Sequence, residues 1–168
     1  RLGKIYNRKI IFKLKVTYFI LMHNYETLIV LKSSHMVLNH NLKDITHEES
    51  LVTPAQGGNS INWILGHIII SRDDIRELIG LDKLYDDEMK MYHRGAEGVN
   101  QSELLEFKKL LDMYNEGQKM IEDKLKEIDL RDDNEKYRMV TFLAFHESYH
   151  TGQTGILRRI IGKEGAIK

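Results

Sequence analysis

Two histidines four residues apart, His146 and His150, lie in the run Phe145-His146-Glu147-Ser148-Tyr149-His150. On a helix, residues i and i+4 share a face with Cβ atoms about 6 Å apart, so two imidazoles at this spacing can converge on one metal ion. Gln153, at i+7 from His146, extends the same face and can hold a ligating ring or a bound water. A third histidine, His67, sits in Trp63-Ile64-Leu65-Gly66-His67-Ile68-Ile69-Ile70, where a charged imidazolium would be expensive to bury. Alone, it reads as a neutral core histidine donating to a carbonyl. Beside the pair, it completes a set of three neutral imidazoles with open positions, the pattern of a catalytic metal site rather than a closed structural one. Trp63, one turn before His67, would wall the same pocket or simply pack in the core.

His146 to His150 also satisfies H-E-x-x-H, the zinc-protease motif in which the Glu activates a metal-held water. Its context argues against that reading. A metzincin would continue with Gly at 153 and His at 156, where this chain has Gln153 and Ile156. A second zincin type needs a downstream carboxylate on another helix, and only Glu164 follows. No edge strand to hold a peptide is legible. Glu147 is therefore expected behind the ligands or at the surface, projecting about 100° around the helix from His146. Of the other histidines, His23, His35, His40, His47 and His93 fall in the first predicted helix or in loops, with His35 and His40 the nearest candidates to join. His93, beside Arg94-Gly95, lies in a connection that can fold over the ion as a lid.

Four amphipathic helices are predicted to position these residues. The first runs from about Glu26 to Ile45, with Leu28, Leu31, His35, Leu38 and Leu42 along one stripe. Residues 48–58, with Pro54 and Gly57-Gly58, break the pattern. Asn59 or Ser60 can cap the second helix, whose stripe includes Ile61, Ile64, Ile68, Ile75 and Leu78 and which Gly80 can end. Residues 81–100 read as a long polar connection. The third helix is expected from Asn100 or Ser102, where Asn100 and Glu103 have capping-box spacing, and buries Leu104, Phe107, Leu111, Tyr114, Ile121 and Leu125. The fourth runs from about Glu135 to Ile161, with Gly162 as its stop. The expected fold class is all-α: a four-helix bundle with one long crossover between helices 2 and 3, a class that builds metal sites from facing helices. There is no internal repeat and no low-complexity segment.

Composition narrows the chemistry further. The 168 residues include one Pro and no Cys, which excludes disulfides, thiolate zinc sites and a nucleophilic cysteine of the chain's own. Sulfur chemistry would need a thiol brought in by a substrate, and the composition suits a reducing cytoplasm. Six of the 25 basic side chains (Arg1, Lys4, Arg8, Lys9, Lys13 and Lys15) fall in residues 1–21, which hold no acid. Residues 22–168 thus carry 19 basic and 25 acidic groups, a net charge of −6 that argues against nucleic acid or an anionic membrane as the partner. Lys13 and Lys15 interrupt the apolar run of a secretory signal, and no stretch of roughly 20 apolar residues exists to span a bilayer. Residues 12–18 alternate like a strand without a partner elsewhere. We expect 1–21 to be a basic extension outside the functional unit, and 22–168 to be the domain.

The two stretches Asn59-Ser60-Ile61-Asn62-Trp63-Ile64-Leu65-Gly66-His67 and Phe145-His146-Glu147-Ser148-Tyr149-His150-Thr151-Gly152-Gln153 resemble the DinB/YfiT-like family of metal-binding four-helix bundles. That family's pattern is a His late in an apolar, Gly-preceded stretch of helix 2, then H-x3-H-x-G-Q in helix 4. The resemblance spans about residues 22–168. It implies one divalent ion on His67, His146 and His150, with zinc or nickel foremost and iron, manganese or copper as alternatives. It also implies a homodimer, and a transferase moving a low-molecular-weight thiol such as bacillithiol, mycothiol or glutathione onto an electrophilic small molecule in detoxification or stress. Two rivals remain open: a hydrolase using a metal-bound hydroxide, and a non-catalytic metal-binding sensor or interaction module. Because protons compete for the imidazoles, the ion is expected to leave below about pH 6.

Overall fold

The structure, a computed structural model, describes residues 24–85, 87–95 and 100–167. The basic extension at 1–21, its strand-like run and His23 lie outside them. Among the described residues the secondary structure is helical throughout, without strands. Four long helices, α1 (Tyr25–Leu42), α2 (Ile61–Leu78), α3 (Phe107–Glu127) and α4 (Asn134–Ile160), are joined by segments carrying one α-turn at His47–Ser50 and 3₁₀ turns at Asp87–Tyr92, Gln101–Glu103 and Leu130–Asp132.

Each long helix stops or starts for a local reason. Ser60 Oγ accepts the Trp63 amide at 3.2 Å and starts α2; Gly80, at φ +80°, ends it while the Leu81 amide returns to Arg76 O at 2.8 Å. Asp133 caps α4 through the Lys136 amide, and Gly162 closes it with the same left-handed backbone. Two boundaries differ from expectation. α1 ends at Leu42, three residues before Ile45, because Lys43 turns extended and Asp44 enters the left-handed region at φ +58°. α3 starts at Phe107 rather than near Asn100 or Ser102. Asn100 does cap, but it caps the 3₁₀ turn at Gln101–Glu103, after which Leu104 is extended. The first amide of α3 is met from a distance instead, donating to His47 Nδ1 at 3.2 Å.

Most of the expected stripe residues are buried, but His35, Leu78, Leu104 and Leu111 are half-buried and Leu104 lies before α3; Leu110 and Met113 join the core on α3, and Ile79 joins it at the end of α2. α4 packs on α1 and α2, and α2 packs on α3. The apolar interior forms two clusters. One gathers Leu38 and Leu42 of α1, Ile61 to Ile70 of α2, Phe107 to Tyr114 of α3 and Leu157 of α4; the other gathers Leu28, Leu31, Ile75, Ile121, Leu125, Val140 and Ala144. Along each helix, buried polar residues fall between the two, among them Ser34, Arg72, Gln118 and Glu147.

The connection between α2 and α3 is anchored at Tyr92, which is fully buried. Its hydroxyl donates to Asn62 Oδ1 at 3.0 Å and accepts the Leu105 amide at 2.8 Å, while Asn62 Nδ2 donates to Leu105 O at 2.9 Å. Gly66 makes room for this packing, since a Cβ there would overlap the Tyr92 ring. Farther along, Asp73 accepts the Leu84 and Tyr85 amides, pinning the start of the same connection to α2.

Candidate metal centre

His67 projects from the middle of α2, and His146 and His150 from the middle of α4. The ligating nitrogens of all three lie within 4.8 Å of one another, and His67 and His150 are buried. His146 Nε2 is 3.3 Å from His67 Nε2 and 3.0 Å from His150 Nε2, with the rings edge-to-face in all three pairs.

Hydrogen bonds at the far side of two rings fix which nitrogen is bare. His67 Nδ1 donates to Tyr92 O at 2.8 Å; a carbonyl can only accept, so this nitrogen carries the proton and Nε2 keeps its lone pair. The carbonyl bond matches the lone-histidine reading and leaves Nε2 free to act as a ligand. His150 Nδ1 donates to Gln153 Oε1 at 2.8 Å, the ring-holding arrangement expected of Gln153. His146 Nδ1 is buried without a partner. Trp63 stacks on His67, with centroids 4.8 Å apart and planes 15° apart, and its own Nε1 donates to Met91 O at 3.1 Å.

Electrostatics keep the rings neutral. Burial lowers the pKa of all three; for His146 the neighbouring His150 and His67 add to burial and bring it to about 4. Two or three nitrogen lone pairs facing one another repel, and a cation between them removes that conflict. Ligands about 2.0–2.1 Å from a zinc-sized ion in tetrahedral array stand about 3.3 Å apart, so the 3.3 and 3.0 Å separations at His146 suit such an ion. The donor set fits the group that the sequence implied.

Glu147 is buried, not at the surface, and it faces away from the imidazoles. Its Oε2 accepts Arg72 Nε at 2.9 Å, and its Oε1 accepts Arg72 Nη2 at 2.8 Å and the Tyr114 hydroxyl at 3.1 Å. Arg72 in turn lies over the Tyr114 ring at 3.8 Å and donates to Tyr114 O. Burial alone would lower the guanidinium's pKa, but the Glu147 and Tyr114 oxygens outweigh it and raise it. A carboxylate buried in an ion pair with Arg72 is not placed to activate a metal-held water, which argues against the protease reading. His35 stacks on Tyr114 at the edge of this network, and burial takes its pKa to about 4. His40 and His93 are exposed and His47 serves α3; among the described residues, only the three predicted histidines form a metal-competent group.

Sequence reasoning missed Tyr92 and Arg72, and it read Tyr114 only as a core residue. The Tyr92 contribution is a backbone carbonyl and leaves no residue-type signature. Arg72 had one: a basic residue two positions after the apolar run Ile68-Ile69-Ile70, with Glu147 awaiting a partner. The family model described as the DinB superfamily matches residues 31–154, a stretch that contains all three histidines. No curated protein and no solved structure matches the chain.

Proposed function

The chain belongs to the DinB superfamily, and from that premise we propose that it is a metal-dependent transferase of low-molecular-weight thiols onto electrophilic small molecules, with His67, His146 and His150 holding one divalent ion. The observation that carries this reading is the convergence of three Nε2 atoms, two of them with their Nδ1 protons committed elsewhere. A zinc or nickel ion held there would act as a Lewis acid, lowering the pKa of a coordinated thiol and presenting it as a nucleophile.

The chain's own residues do the positioning. Tyr92 O and Gln153 Oε1 orient two of the rings, Trp63 closes the side of His67, and burial keeps the imidazoles unprotonated. No cysteine, aspartate or glutamate among the described residues joins the three histidines, which favours an open coordination position over a sphere filled by protein. The chain has no cysteine, so sulfur must arrive with the substrate. A cytoplasmic location suits that composition.

We further read the four long helices as a four-helix bundle with a crossover between α2 and α3. Its support is the membership of the two apolar clusters: the starts of α2 and α3 share one and the ends share the other, so these helices run in the same direction and need a long return. A homodimer is part of the proposal. Met139, Phe142, Phe145, Tyr149, Ile156 and Ile160 on α4 are exposed large apolar side chains that a second copy would cover.

The test is turnover by metal-loaded protein with small thiols and model electrophiles. We expect a thiol-dependent rate that chelation abolishes and that His67→Ala, His146→Ala and His150→Ala each reduce at least about a hundredfold. Absence of any metal-dependent rate with every pair would refute the transferase reading. Turnover of activated esters without thiol would assign the site to hydrolysis instead.

A further inference from the structure

Trp63, which stacks on His67, also lines a cavity of about 410 Å³. Arg94 lines the same cavity. It is exposed and makes no hydrogen bond or ion pair with a described residue. Its charge reaches the rings of His67 and His146, where it opposes their protonation. Among the described residues the remaining polar lining is neutral (Thr53, Asn59, Ser60 and Gln101) and holds no Asp or Glu, although acids outnumber bases beyond residue 21.

An unpaired guanidinium offers five N–H donors in a planar fork that matches a carboxylate. One positive charge among neutral polar groups balances a monoanion. Trp63 and Leu104 supply apolar wall for a short carbon stem. We propose that this cavity seats the carboxylate of a small organic acid substrate, paired with Arg94, with the stem on Trp63 and the reacting end toward the three imidazoles. The assignment rests on the transferase reading and specifies its substrate class. Either the thiol or its acceptor can carry the carboxylate.

Trp63 is the chain's one tryptophan, so its fluorescence reports on this cavity and on the His67 ring stacked against it. Metal-loaded protein would be titrated with 3-mercaptopropionate, acrylate and propionate, and with the corresponding amides. We expect each acid to shift Trp63 emission at a concentration at least about tenfold lower than its amide, the scale of one charge-assisted hydrogen-bonded pair. Arg94→Gln should erase that gap and Arg94→Lys keep part of it, with melting temperature and metal content unchanged in both. Equal midpoints for acid and amide, or a gap that survives Arg94→Gln, would overturn the assignment. A larger gap for 3-mercaptopropionate places the carboxylate on the thiol, and a larger gap for acrylate places it on the acceptor. The propionate response should persist in metal-free protein. If it does while no thiol shows a metal-dependent gain, the carboxylate subsite stands and the transferase reading falls.

Discussion

At each of the three candidate ligand positions a proton would compete with an ion for one lone pair. In the folded protein the rings titrate below the usual 6.5, His146 at about 4, mainly because burial disfavours their charged form. The unfolded chain therefore binds more protons between about pH 6.5 and pH 4, and stability of the metal-free protein falls as pH drops through that window. Ion affinity should stay level above pH 6.5 and decline below it, with release centred lower than the pH 6 that free imidazoles suggest. Equilibrium dialysis followed by elemental analysis from pH 7.5 to 4 would check this; release complete at pH 6.5 would contradict it. These three residues were legible because i,i+4 spacing on one helix and an apolar setting on another leave marks in residue order. The acceptor for His67 was not, since any residue type can present a carbonyl at position 92.

Between α2 and α4, the helices that carry the imidazoles, the buried Arg72–Glu147 pair sits less than two turns from His67 and immediately beside His146. Removing one partner leaves the other charge buried and alone, at a cost of about 3–5 kcal/mol, whereas an apolar pair of similar volume is often tolerated. Glu147→Gln should thus lower the denaturation midpoint sharply, and the double variant Arg72→Met, Glu147→Leu should recover most of the loss. Urea titrations of the single and double variants would decide it; a mild effect of Glu147→Gln would show that the pair braces nothing. Helix ends marked by Ser60, Gly80 and Gly162 were readable in advance, because capping is local chemistry. The start of α3 was not: the Asn100–Glu103 spacing serves a 3₁₀ turn equally well, and the amide of Phe107 finds its acceptor, His47, 60 residues away.

For the molecule as a whole, the proposed dimer uses the exposed apolar residues of α4. If a second copy covers them, Phe145→Glu together with Ile156→Glu should yield a monomer by light scattering, with metal content intact because both side chains point away from the imidazoles into solvent. Dimers persisting in that variant would locate the contact elsewhere. Helix content and the run of buried stripes followed from periodicity, but the split of the interior into two apolar clusters did not, because it depends on which helix ends meet. Tyr92 belongs to this largest scale as well. One residue in the interhelical connection hands its carbonyl to His67 and its hydroxyl to Asn62 and the Leu105 amide. Any free energy gained by locking the His67 ring is therefore shared with a segment nearly 40 residues downstream in the chain. Deuterium uptake at the Leu105 amide should slow when the ion is bound, making the connection a gauge of occupancy; unchanged uptake would mean that ring and connection open independently.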